Sequence, residues 1–224
     1  MKRKKAIIDD GFNPELAEGA HFAGMFDFPC IDAPKEIITP KGLTPWTRRA
    51  KAPTDCELLE FFEQDVKFSE ILEEPETFVD EISRFPIFTP PDCSAYRNAP
   101  LAVQIGNIYK SRAIGSFYQR HGANVYPLIR WGDERTYTTC LFTERIAFSA
   151  VERNSPVVVS SYGCYKSADD KFHFNAGLLA MLDELEPRLV ILHGPLDEEL
   201  VKRVHERTHL VQYPDWVTRM KGRG

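Results

Sequence analysis

Three aspartates each close an apolar run: Asp65 after Leu58-Leu59-Glu60-Phe61-Phe62, Asp92 after Phe85-Pro86-Ile87-Phe88, and Asp133 after Val125-Tyr126-Pro127-Leu128-Ile129. In parallel α/β sheets ligands bind beyond the carboxyl ends of the strands. In-register neighbours there lie roughly 5 Å apart. Carboxylates gathered at such a point repel one another, so they require a cation, a shared proton or a basic neighbour. Asp92 and Asp133 are therefore the expected catalytic pair, as ligands of a hard metal such as Mg²⁺ or Mn²⁺, as an acid/base couple, or as a receptor for a cationic group. Helix capping is the competing account, because every βα turn favours an Asp at the N-cap. Asp65, directly before Val66, suits a cap best, and Asp92 suits it least, since Cys93 to Pro100 delay the next helix. Asp133 is intermediate: its cap would use the N–H of Arg135 or Thr136, with Glu134 as a first-turn charge.

The elements that must position these groups alternate along the chain. Six apolar strand runs begin near Leu58, Phe85, Val125, Pro156, Arg188 and His209, with helical patterns between them. Such βαβ alternation predicts an α/β fold with a mainly parallel sheet of about six strands, either open and doubly wound or curled into a partial barrel. Pro100 opens a long helix that runs to about Arg120 and stops at His121-Gly122. Residues 1–56 are rich in proline and poor in periodicity, and read as an N-terminal arm anchored by Phe26, Phe28, Ile37 and Ile38. Residues 57–224 read as a single α/β domain.

On the long helix, Gln104, Asn107 and Arg112 occupy spacings close to helical. They either form a solvated outer face or reach the crevice of Asp92 to position a substrate, with Arg135 beside them. Trp131 could stack on a base or sugar. Gly106 and Gly115 weaken the helix and imply close packing. Arg97, Lys110, Arg112, Arg120, Arg130 and Arg135 form a local basic set that could meet phosphates or pair with the carboxylates. Cys164 and His193 both end strand runs; an inert buried thiol outweighs a Cys–His dyad there, and His193 is the better pocket residue.

The rest of the chain excludes several classes. It has 224 residues, 43% hydrophobic and 27% charged, with a net charge of −5. No overall basic field marks a nucleic-acid binder. Lys2–Lys5 and Arg219–Arg223 are only weak basic tails. Asp9 and Asp10 interrupt the stretch that a signal peptide would need, and no apolar run is long enough to span a membrane. Five scattered cysteines without C-x-x-C argue against a disulfide framework and a zinc ribbon, so a reducing cytoplasm is the expected home. The signatures of P-loop, dinucleotide-binding, zincin and α/β-hydrolase enzymes are missing.

The stretch from Phe85 to Tyr137, followed by Val157 to Tyr165, resembles an uncharacterised bacterial, plasmid and phage family catalogued as a domain of unknown function (DUF4417-like). Members look like Ser/Pro-Pro-Asp-x-Ser-x-Tyr, then Pro-x-Ala-x-Gln-Ile/Trp-x-Asn-x-Tyr-x-x-Arg, then Pro-x-x-x-Trp-x-Asp, then a strand ending in Gly-Cys. These elements map onto Asp92, Ser94, Tyr96, Pro100, Gln104, Asn107, Tyr109, Arg112, Trp131, Asp133 and Cys164, within about residues 58–213. The resemblance adds Tyr96 to the substrate-facing set and implies mobile-element biology, without a reaction to transfer. Two functions follow as expectations. One is a hydrolase or transferase acting on a nucleotide, nucleic acid or related phosphate- or sugar-bearing substrate. The other is a non-catalytic accessory protein that binds nucleic acid or a host protein.

Overall fold

A computed structural model describes residues 13–52 and 57–215. The basic tails and Cys56 lie outside the described residues. A short antiparallel pair, β1 (Phe22–Ala23) and β2 (Phe28–Pro29), comes first. Then β3 (Leu43–Pro45), β4 (Leu58–Glu60) and β5 (Ile87–Phe88) form one parallel sheet in that order. A second parallel sheet holds β6 (Val157–Ser160), β7 (Leu189–His193) and β8 (His209–Tyr213). The expected single sheet of about six strands is thus two sheets of three. The run at 125–129 is the reason. Pro127 has no N–H to give a ladder, and the segment joins each sheet only through a single parallel bridge, Phe88 to Val125 and Leu128 to Val158.

The two sheets nevertheless share one core. Leu43, Leu58, Ile87, Tyr126, Leu128, Val158, Leu189 and Ile191 pack together, with Phe62, Val211 and Tyr213 against them. Alternate residues of the same strands face the other way. Leu59, Phe88 and Val125 pack under α1 (Ser69–Glu73), α2 (Val79–Ile82) and α3 (Leu101–Arg120). Val157, Val159, Val190 and Leu192 pack under α5 (Ala168–Leu185) and α6 (Glu198–His205). Both faces of β4 to β7 are buried, which accounts for their unbroken apolar runs, whereas His209 and Gln212 of the edge strand β8 are exposed.

The arm boundary drawn from composition cuts through a sheet. Leu43–Pro45 lies in the proline-rich stretch, yet it pairs in register with Leu58–Glu60. All four expected anchors touch a core: Phe26 and Phe28 one side, Ile37 and Ile38 the shared interior. Tyr126 fixes the second pair, its hydroxyl donating to the Ile38 carbonyl at 2.9 Å and accepting from the Ile38 N–H at 2.6 Å. The long helix runs where expected, with Pro100 at its N-cap and Gly122 beyond its end at φ +89°. Gly115 packs closely, since a Cβ there would come within 2.4 Å of Ile31, whereas Gly106 faces open space. No helix among the described residues is long and apolar enough to cross a membrane.

Candidate functional site

The inner face of the strands changes character at its carboxyl end. Below, the rungs are Leu58, Leu128, Val158 and Ile191. One rung up, alternation places Glu60, Arg130, Ser160 and His193. These four line a cavity of ≈ 1260 Å³ together with Asp92, Tyr96, Tyr162 and Cys164. Ser160 and His193 are register partners on neighbouring strands. Their side chains meet, Ser160 Oγ to His193 Nδ1 at 3.0 Å, and both are buried. The Tyr162 N–H also donates to Ser160 Oγ, at 3.2 Å. The His193 ring stacks face to face on Phe62, with centroids 4.5 Å apart and planes 9° apart. Gly194 follows at φ +99°, and a Cβ there would meet Ser161 Oγ at 2.7 Å, so the chain can leave the strand so sharply only as glycine.

Asp92 and Asp133 do not form a carboxylate cluster. Each is neutralised by its own arginine. Arg130 Nε donates to Asp92 Oδ1 at 2.7 Å and Nη2 donates to Oδ2, a bidentate pair with 17% and 11% of the side chains exposed. Arg130 Nη1 reaches the Ser160 carbonyl at 3.1 Å and Cys164 Sγ at 3.3 Å. Burial alone would lower the Arg130 pKa, but Asp92 and Cys164 more than offset it and hold the guanidinium charged. Asp133 caps α4 (Glu134–Tyr137) through the Arg135 N–H at 2.9 Å, the bond expected of a cap. The Arg135 guanidinium grips both of its oxygens, and Gln104 Nε2 donates to Oδ2 at 2.8 Å. These bonds, Arg135 first, pull the Asp133 pKa from 3.8 to about 2.

These carboxylates do not fit Mg²⁺ or Mn²⁺. A hard cation would have to displace a guanidinium from each one. No group of three or more His, Cys, Asp or Glu side chains suited to a metal occurs among the described residues. Asp65, unlike Asp133, is not a cap: it accepts from the Ser94 N–H at 3.1 Å and from Ser94 Oγ at 2.8 Å, tying the segment after β4 to the loop after β5.

Gln104, Asn107 and Arg112 of the long helix do not form a solvated outer face. They turn inward and satisfy backbone. Gln104 is fully buried, donating also to the Ala99 carbonyl at 2.9 Å and accepting from the Asp133 N–H at 3.1 Å. Asn107 donates to the Ser94 carbonyl at 2.7 Å. The Arg112 guanidinium donates to the carbonyls of Leu128, Ala147 and Ser149 at 2.8–3.1 Å, and burial lowers its pKa to about 10. Trp131 is only 7% exposed; its Nε1 donates to the His173 carbonyl, and its ring fills the space left by Gly177. It is a core residue rather than an open platform. Gly132 is likewise forced, since a Cβ would fall 1.8 Å from Gln104 Oε1.

Of the residues picked from sequence, Asp92, Tyr96 and Trp131 line the cavity, as do Arg97, Arg130, Cys164 and the expected pocket residue His193, whereas Asp133, Gln104, Asn107, Arg112 and Arg135 do not. Sequence reasoning missed Glu60, Phe62, Ser160 and Tyr162. The available signal was strand alternation: Leu58, Glu60 and Phe62 share one face, as do Val158 and Ser160, and Ile191 and His193.

Residues 20–214 match the family described as Domain of unknown function (DUF4417). The chain belongs to this family. It is also 30% identical over 160 residues to a Gene 1 protein of Mycobacterium phage D29, covering 70% of this chain and 57% of that protein. A Gene 1 protein of Mycobacterium phage L5 is 30% identical over 164 residues, covering 71% of this chain and 69% of that protein. The match thus spans little more than half of the D29 relative. No solved structure matches the chain.

Proposed function

We propose that this chain is an enzyme of phage type, a hydrolase or transferase, acting on a nucleotide or related phosphate- or sugar-bearing substrate in the cavity at the strand ends. The two sheets and the 125–129 segment are read together as one partial parallel barrel, because they share an interior core. In parallel α/β architectures that end of the strands is where ligands bind. The observation that carries the reading is the Ser160–His193 pair, 3.0 Å apart on the polar rung of the cavity.

An imidazole suits proton transfer near neutral pH. Here the backbone register and the Phe62 ring fix its plane, and Ser160 fixes its Nδ1 side. His193 takes the proton of an attacking water or hydroxyl and returns it to the leaving group. The Arg130–Asp92 pair holds the wall and sets the field around Cys164. The role first given to the strand-end aspartates therefore passes to the inner rung.

The test is a turnover screen of the full chain. Nucleoside mono-, di- and triphosphates, sugar phosphates and short DNA and RNA strands are supplied with and without Mg²⁺ or Mn²⁺, and products are followed by mass spectrometry. At least one class should turn over, and His193→Gln should slow it by about 10²–10⁴-fold. A parent protein that turns over nothing and gains no thermal stability from any of them would remove the enzyme reading and leave the non-catalytic accessory one.

A further inference from the structure

We infer that this cavity recognises a planar heteroaromatic ring, a nucleobase, held between Tyr96 and Tyr162; the inference deepens the proposed function and rests on its choice of site. The two tyrosines line the mouth with 65% and 53% of their surface exposed. Their backbones are fixed. The loop of Tyr96 is held by Asp65 through Ser94, and by Asn107 through the Ser94 carbonyl. Tyr162 is held by its N–H bond to Ser160 Oγ, and the adjacent Ser161 hydroxyl donates to the Pro195 carbonyl. Exposed rings on anchored loops lose little freedom when a ligand covers them.

The aromatic surface continues inward. Tyr162 lies 6.1 Å from the His193 ring, which lies flat on Phe62. Tyr162, His193 and Phe62 thus form a run of adjacent rings from the mouth to the polar rung. Of the five lysines and arginines that line the cavity, Arg48, Lys67, Arg97, Arg130 and Lys166, three are held by carboxylates and are less suited to anchor a phosphate. Arg130 is bidentate with Asp92, Arg97 pairs with Asp169 and Asp170, and Lys67 pairs with Glu63. Stripping an arginine from its carboxylate offsets much of what a phosphate would gain there. Ring stacking meets no such competition, and every base offers a π-face.

Isothermal titration of the full chain tests this with the nucleosides and 5′-monophosphates of adenine, guanine, cytosine and uracil, alongside ribose 5-phosphate and inorganic phosphate. At least one nucleoside should bind within about tenfold of its monophosphate, and ribose 5-phosphate should bind at least tenfold more weakly than either. Tyr96→Ala and Tyr162→Ala should each weaken binding by about ten- to a hundredfold, with Tyr→Phe retaining it. A short DNA strand run in parallel tells whether the ring arrives free or on a strand, and ring-dependent binding in either form supports the inference. It is overturned if ribose 5-phosphate binds as well as the nucleotides, if neither alanine variant changes affinity, or if no probe binds. Nucleoside binding without turnover would remove the enzyme reading and keep this one. Turnover of a sugar phosphate with both tyrosines replaced by alanine would do the reverse.

Discussion

Neutralising Asp92 is the sharpest test of how this mouth is built. A repelling carboxylate cluster would become more stable on Asp92→Asn, and a helix cap would lose about 1 kcal/mol. The structure shows neither arrangement. Asp92 takes two charge-assisted bonds from Arg130, whose remaining Nη1 contacts are the Ser160 carbonyl and Cys164. Asparagine keeps the shape but leaves a largely buried guanidinium without its counter-charge. Removing one partner of a buried pair costs about 3–5 kcal/mol, and the residual exposure of both side chains favours the lower end. For a domain of this size, about 3 kcal/mol lowers Tm by about 6–12 °C. Asp133→Asn should cost less, about 1 kcal/mol, because Asn still caps and Arg135 is 40% exposed. Thermal and urea unfolding of both variants measures the contrast. The double variant Asp92→Asn/Arg130→Gln should lose less than the sum of its single changes, since the stranded charge goes with its partner. A Tm for Asp92→Asn equal to or above that of the parent would refute the reasoning.

Other outcomes follow from the same contacts. Asp133 has a folded-state pKa of about 2, below its ordinary 3.8, so the stability it adds is present above pH 3.8 and is lost as pH falls toward 2. Urea midpoints taken from about pH 5 to about pH 2.5 should show the gap between parent and Asp133→Asn closing over that window. Arg112→Lys should cost about 3 kcal/mol or more, because one ammonium cannot reach the three carbonyls that the guanidinium holds; chemical denaturation reads this directly. Gly132→Ala should cost about 1–3 kcal/mol by driving a methyl into Gln104, and Gln104→Ala in that background should return part of the loss of Tm. Thiol alkylation mapped by mass spectrometry should modify exposed Cys140 well before Cys93, whose thiol pKa is pushed up by burial.

Much of the fold was legible because local rules and tertiary packing agree. Five of the six expected strands form, and the run at Val125 is recognisable but for the donor that Pro127 lacks. The long helix begins and ends where Pro100 and Gly122 place it. Leu43–Pro45 could not be found the same way, since a strand of three residues between prolines carries no period. The site was legible only by address. The ends of the parallel strands do form a cavity, but four of the residues chosen there, Asp133, Gln104, Asn107 and Arg112, turned inward. Asp133, Gln104 and Arg112 are polar groups in polar patterns, and such patterns are the same whether the partner is a ligand or a buried carbonyl.

By itself the sequence determined the long helix, five of the parallel strands and their direction. Alternation within each apolar run decides which residues share a face, and βα alternation makes the strands parallel. It also supplied the family resemblance that the match over residues 20–214 bears out. Only the tertiary structure decided how charge is shared. An aspartate at a strand end can cap, coordinate or pair, and the choice depends on which arginine the fold brings within 3 Å. Arg130 is 38 residues from Asp92, whereas Arg135 is 2 from Asp133. The distant pair needed the segment after Leu128 to lie beside the loop after β5, and strand register brought Ser160 and His193, 33 residues apart, to one rung of the cavity.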